Sequence, residues 1–119
     1  MSTVLYVDDE PINCSMFELN FKKYYHVLLA ESGMEALDVL NENKQVDVIV
    51  SDMKMPGMDG LEFIQKVKET NKGLPCFILT GYDLTQDLME AIKNGIVVKY
   101  FQKPMNNTLL RTEIAKVLP

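Results

Sequence analysis

Five short apolar runs constrain this chain more than any other feature: Thr3–Val7, His26–Ala30, residues 46–51, residues 75–79 and a fifth within residues 96–101. Continuous apolar runs of this length suit strands covered on both faces, as in parallel sheets. The third ends on a lone carboxylate, Asp52, and a loop holding Pro56, Gly57 and Gly60 follows at once. Between the runs lie segments of helical spacing, so strands and helices alternate along the whole chain. That pattern implies a doubly wound α/β fold: a five-stranded parallel sheet with right-handed crossovers and five helices on its two faces.

The helical segments have readable starts and stops. Pro11 fits the first turn of a helix running to about Tyr24, where its missing N–H does no harm. That helix carries two apolar stripes, Ile12/Met16/Leu19 and, nearly opposite, Cys14/Phe17/Phe21. A helix apolar on two sides is deeply buried or has a second partner; here one stripe is expected to be core and the other only partly covered. Gly33 to Asn43 presents Ala36, Leu37 and Leu40. Gly60 opens a helix with Leu61, Ile64 and Val67 that fades at Asn71-Lys72-Gly73. A fourth is expected from about Asp83 to Asn94, with Leu88, Ala91 and Ile92 inward and Gly95 as its stop. Asn106 or Asn107 can cap the last, which carries Leu110, Ile114 and Val117.

Bulk properties narrow the function. A chain of 119 residues is one ordinary domain. Its net charge of −5 argues against a domain that itself grips a nucleic-acid backbone. Cys14 and Cys76 have no metal-ligand spacing and read as reduced thiols of a cytoplasmic protein. Asp8, Asp9 and Glu10 interrupt the first apolar run, so no signal peptide is read there. No run approaches the ~18 residues a membrane span needs.

The chemistry lies at the carboxyl ends of the strands, where open α/β sheets bind ligands. The first strand delivers Asp8 and Asp9, the third Asp52, the fourth Thr80 and the fifth Lys103. Singly these are commonplace: an Asp pair can be a turn or helix cap, and an Asp before a Pro-Gly loop can be turn chemistry. In this order they can converge. Carboxylates ~4 Å apart repel by about 4 kcal/mol per pair at an effective dielectric near 20. One lysine cannot offset three such charges, so either a carboxylate stays protonated or a cation binds. An oxygen-only site favours Mg²⁺. Thr80 and Lys103 could then hold phosphoryl oxygens, leaving Asp52 as the nucleophile that forms an acyl phosphate.

With those residues placed, the chain closely resembles the receiver domain of two-component response regulators, of the chemotaxis-regulator type. The likeness covers essentially all of residues 1–119 as a single receiver domain. Val7-Asp8-Asp9-Glu10-Pro11, Ser51-Asp52-Met53-Lys54-Met55-Pro56-Gly57-Met58-Asp59-Gly60, Leu79-Thr80-Gly81 and Lys103-Pro104 carry it. The resemblance implies a flavodoxin-like sheet of strand order 2-1-3-4-5. It implies that Asp52 is phosphorylated by a sensor histidine kinase, a phosphotransfer protein or a small acyl-phosphate donor. Asp9, Asp52 and the Lys54 backbone carbonyl would ligate Mg²⁺, with Asp8 acting largely through water. Thr80 and Lys103 would bind the phosphoryl group, and the Lys103-Pro104 bond is commonly cis in the family. Tyr100 matches the aromatic whose rotamer accompanies activation. The face of helix four, strand five and helix five would then change shape toward a partner or a second copy in a homodimer. The domain would catalyse only its own phosphorylation and slow autodephosphorylation, without binding nucleic acid or membrane itself.

Two departures stand out. The stretch from Gly95 to Tyr100 is about one residue longer than the family's usual spacing, which bears on the loop into strand five and on Tyr100. Lys54 and Tyr82, two residues after Asp52 and Thr80, are bulky where side chains flank the path of the hydrolytic water, and are expected to lengthen the phosphoryl lifetime. His26, opening a strand, reads as a surface residue rather than a phosphodonor. Met53, Met55 and Met58 beside Asp52 read as adaptable packing.

Other readings compete. An aspartyl-phosphate phosphohydrolase normally has a second Asp two residues after the nucleophile, where this chain has Lys54. A phosphorylation-independent interaction module would not need the intact Asp8, Asp9, Asp52, Thr80 and Lys103 set. Flavin binding lacks a phosphate-cradling loop after strand one. The sequence carries no effector domain and is compatible with a single-domain regulator or the N-terminal piece of a larger one.

Overall fold

In the computed structural model, which describes residues 1–43, 45–82 and 84–118, five strands alternate with five helices. They are β1 Thr3–Val7, α1 Pro11–Phe21, β2 His26–Ala30, α2 Gly33–Glu42, β3 Val48–Asp52, α3 Gly60–Thr70, β4 Cys76–Thr80, α4 Gln86–Lys93, β5 Lys99–Gln102 and α5 Asn107–Val117. Every strand pairing is parallel, in the order β2-β1-β3-β4-β5.

Strand alternation divides the core between the two faces of the sheet. Leu5, Val7, Ile49 and Ile78 face one way, packing with Ala36 of α2, Phe63, Ile64 and Val67 of α3 and Leu88 of α4. Val4, Tyr6, Val48, Val50, Phe77 and Leu79 face the other, against Cys14, Phe17 and Phe21 of α1 and Leu110 and Ile114 of α5. Both sides of β3 and β4 are covered, which is why those runs are apolar without alternation.

The two stripes of α1 are resolved by this packing. Cys14, Phe17 and Phe21 are buried, while Ile12, Met16 and Leu19 are 71, 55 and 64% exposed. One stripe is core and the other only partly covered, as expected. Phe17 stacks on Tyr6 of β1 at 4.1 Å between ring centres and on Phe21 at 4.2 Å.

Several element ends differ from those expected. α1 stops at Phe21 rather than near Tyr24, because Tyr24 and Tyr25 both donate their N–H to the Phe21 carbonyl and the chain turns there, burying Tyr25. β3 starts at Val48; Val46 is buried but lies outside the strand, and Asp47 ties to Thr3. α4 begins at Gln86, not near Asp83, since the Thr85 side chain accepts from the Leu88 N–H and caps it; Asp83 itself lies outside the described residues. Of the two candidate caps for α5, Asn106 serves, accepting from the Leu109 N–H at 3.0 Å. The long approach to β5 is taken up after Gly95, whose φ of 79° is in the left-handed region. There the Ile96 and Val97 N–H groups both donate to the Ala91 carbonyl and Val97 is buried. His26 is exposed at the start of β2.

Candidate functional site

The backbone brings the strand ends to one edge before any side chain acts. The Asp8 N–H donates to the Ala30 carbonyl, fixing the end of β1 beside β2. The Met53 N–H donates to the Leu79 carbonyl and the Lys103 N–H to the Thr80 carbonyl, each at 2.8 Å, tying the exits of β3 and β5 to β4. The loop after β3 closes when Gly60 donates to the Met53 carbonyl at 2.8 Å. Asp59 and Glu62 then start α3 as a reciprocal capping box. Gly60 is required by this closure: a Cβ there would clash with the Asp52 carbonyl oxygen.

Asp8, Asp9 and Asp52 converge, each offering one carboxylate oxygen within 4.8 Å of the others. Asp8 and Asp52 are buried and Asp9 is half-buried. The Lys103 ammonium reaches in from the β5 side, 2.8 Å from Asp52 Oδ1, and the Lys103-Pro104 bond is cis. Burial raises the Asp52 carboxyl above its usual range; the Lys103 hydrogen bond opposes this, and repulsion from Asp8 and Asp9 adds to it. An ion pair alone would lower an aspartate, so desolvation and crowding outweigh the lysine here. For Lys103, burial favours the neutral form, but its bond and attraction to Asp52, with Asp8 and Glu10 beyond, prevail and leave it raised.

Thr80 is buried at the end of β4, and its Oγ1 accepts the Tyr82 N–H at 3.1 Å. The Lys54 ammonium lies 5.3 Å from the centre of the Tyr82 ring, so these two exposed side chains meet. Tyr100, half-buried in β5 opposite Ile78, packs against the core on the α2–α4 side of the sheet.

One residue at this edge was passed over in the sequence. Tyr6 sits in an apolar run and reads as core, yet its hydroxyl donates to Asp8 Oδ2 at 2.8 Å. The available signal was its spacing, two residues before Asp8 and so on the same face of β1.

All the side-chain donors of the cluster are oxygens, and its net charge with Lys103 is negative. A hard, oxygen-seeking cation fits that arrangement.

The profile of the response regulator receiver domain matches residues 4–115. The chain belongs to that family. Receivers are signalling domains of two-component systems rather than conventional enzymes, and phosphoryl acceptance and signal switching are their work. This receiver is 31% identical to the transcriptional regulatory protein ZraR of Klebsiella oxytoca over 116 residues, 97% of this chain but 26% of that protein. It therefore spans about a quarter of the length of that regulator. It is also 31% identical to sporulation initiation phosphotransferase F of Bacillus subtilis, covering 98% of this chain and 93% of that one. A receiver domain protein of Clostridium thermocellum superposes with a TM-score of 0.92 at 28% identity, covering 98% and 94% of the two chains. Among the described residues no helix is long and apolar enough to cross a membrane.

Proposed function

We propose that Asp52 is the phosphoacceptor of this receiver and that Asp8, Asp9 and Asp52 take up Mg²⁺ to make transfer possible. The observation that carries this is the meeting of three carboxylates with a single ammonium, 2.8 Å from Asp52. Asp9, Asp52 and the Lys54 backbone carbonyl would hold the ion, and Asp8 would act through water. When bound, Mg²⁺ neutralises carboxylate charge and polarises a phosphoryl oxygen.

The chain's own groups do the rest. An Asp52 carboxylate oxygen attacks the phosphorus of a phosphohistidine on a sensor kinase or phosphotransfer protein, or of a small acyl phosphate. An O–P bond forms as the donor's N–P or O–P bond breaks, and the leaving group departs with its electron pair. Lys103 is already paired with Asp52 and shifts its donation to the incoming oxygens; Thr80 supplies a hydroxyl once it gives up the Tyr82 N–H. That movement opens room for Tyr100, and the face of α4, β5 and α5 carries the change to a partner, an output domain or a second copy. The whole chain works as one receiver in the cytoplasm, and its catalysis is confined to its own phosphorylation and slow autodephosphorylation.

Incubation with MgCl₂ and acetyl phosphate, followed by intact-mass measurement, tests the reading. One labile phosphoryl adduct, absent in Asp52→Asn and without Mg²⁺, is expected. A folded protein that takes no adduct, or an adduct that persists in Asp52→Asn, overturns it.

A further inference from the structure

We propose that Tyr6 is a positioning residue for the acidic site, holding the Asp8 carboxylate by its hydroxyl in the orientation from which Asp8 serves Mg²⁺. The proposal rests on the metal reading above and adds a residue to it.

Asp8 is fully buried, and a buried carboxylate must be supplied with donors. Each of its oxygens receives one: the Glu10 N–H donates to Oδ1 at 3.0 Å and the Tyr6 hydroxyl to Oδ2 at 2.8 Å. With a donor on each oxygen, rotation of the carboxylate breaks both bonds, so its plane is fixed. One of its oxygens lies within 4.8 Å of a carboxylate oxygen of Asp9 and of Asp52. Outer partners that orient a direct ligand change metal affinity by ~10–100-fold when removed, and because Asp8 reaches the ion through water the low end of that range applies to Tyr6.

Tyr6 is itself immobilised. It is buried in β1, its ring lies within 10° of parallel to Phe17, and Phe17 is stacked in turn on Phe21. A phenol is un-ionised at neutral pH, with an ordinary pKa of about 10, so its hydroxyl remains a donor there. A phenylalanine would keep the stack and the core and lose only the bond.

Metal-free wild type, Tyr6→Phe and Tyr6→Leu are titrated with MgCl₂, read by calorimetry and by the Mg²⁺-dependent rise in unfolding temperature. Tyr6→Phe is expected to weaken Mg²⁺ about tenfold, and Tyr6→Leu, the second variant should Phe fail to fold, at least as much. In an Asp8→Ala background, which has no acceptor for the hydroxyl, the same exchange should alter affinity by less than about twofold, because the interaction being removed is already gone. Phe17→Leu, which loosens the stack but keeps the hydroxyl, should lower the unfolding temperature and leave Mg²⁺ affinity within about twofold. Unchanged or tighter Mg²⁺ binding in Tyr6→Phe overturns the proposal, as does a loss in Phe17→Leu equal to that in Tyr6→Phe. A wild type that shows no Mg²⁺ response fails the metal reading itself, a result distinct from these.

Discussion

Lys103 Nζ stands 2.8 Å from Asp52 Oδ1, the one ion pair among the described residues that reaches into the carboxylate cluster. On the proposed reading this places charge compensation beside Asp52 before a phosphoryl group arrives, so that the ammonium has only to shift its donation to the incoming oxygens. Lys103→Met should therefore fold, bind Mg²⁺ and lose ~100-fold in the initial rate of labelling by acetyl phosphate. A time course by intact mass checks this; a rate within about threefold of wild type would remove Lys103 from the transfer step.

The raised carboxyl of Asp52 gives the metal-free protein a pH dependence of defined sign. A folded-state pKa above the unfolded value means the native state binds more protons between the two, so stability falls as pH rises through that window. Metal-free wild type should lose stability from about pH 4 upward toward neutrality, the unfolded reference being ~3.9. Asp52→Asn should flatten that slope and, at pH 7 without Mg²⁺, unfold at a higher temperature. A gain of ~1 kcal/mol corresponds to roughly 3–6 °C for a domain of this size. Thermal unfolding in EDTA at several pH values measures both, and a slope unchanged by the substitution contradicts the assignment.

The contact of Lys54 with the Tyr82 ring spans the two bulky positions next to Asp52 and Thr80. If they obstruct the hydrolytic water, Lys54→Ala with Tyr82→Ala should shorten the Asp52-phosphate lifetime. A cation–π contact at an exposed site is worth ~0.5–1 kcal/mol, so its share is about two- to fivefold. Decay of the phosphorylated protein after removal of acetyl phosphate is the measurement. A lifetime equal to wild type sinks the idea.

Gly60 lets the loop after β3 close against the strand it leaves, and a Cβ would meet both the Asp52 carbonyl and Met53 Cα. Gly60→Ala should cost about 1–3 kcal/mol, as overpacking of a close-fitted site does. It should also slow Asp52 labelling, since the displaced atoms belong to the acceptor's own peptide. Gly73→Ala, with nothing within 4 Å of its Cβ, is the control. Equal effects at the two positions would rule out the steric account.

The strands were legible because β3 and β4 are covered on both faces and show it as unbroken apolar runs. The site was legible because parallel strands deliver their carboxyl ends to one edge, so Asp8, Asp52, Thr80 and Lys103 needed only the right strands. What the sequence could not decide was long-range. Either stripe of α1 could face inward by spacing alone; Cys14, Phe17 and Phe21 do so because Phe17 stacks on Tyr6 from a different element. Val46 is buried yet outside the ladder, so burial and strand membership parted there. Thr85, by contrast, was a readable cap for α4, overlooked in favour of the earlier start near Asp83. Tyr6 was hidden because a tyrosine in an apolar strand looks like packing until its hydroxyl's partner is known.

The exits of β3 and β5 are fastened to β4 by main-chain bonds that ask nothing of the five side chains at the edge. The scaffold should thus survive without its chemistry, and shedding a crowded carboxylate is expected to make the metal-free form sturdier. Substitutions that erase the site would accordingly leave the fold intact, so that loss of the acidic cluster would be felt in metal binding and phosphorylation rather than in folding.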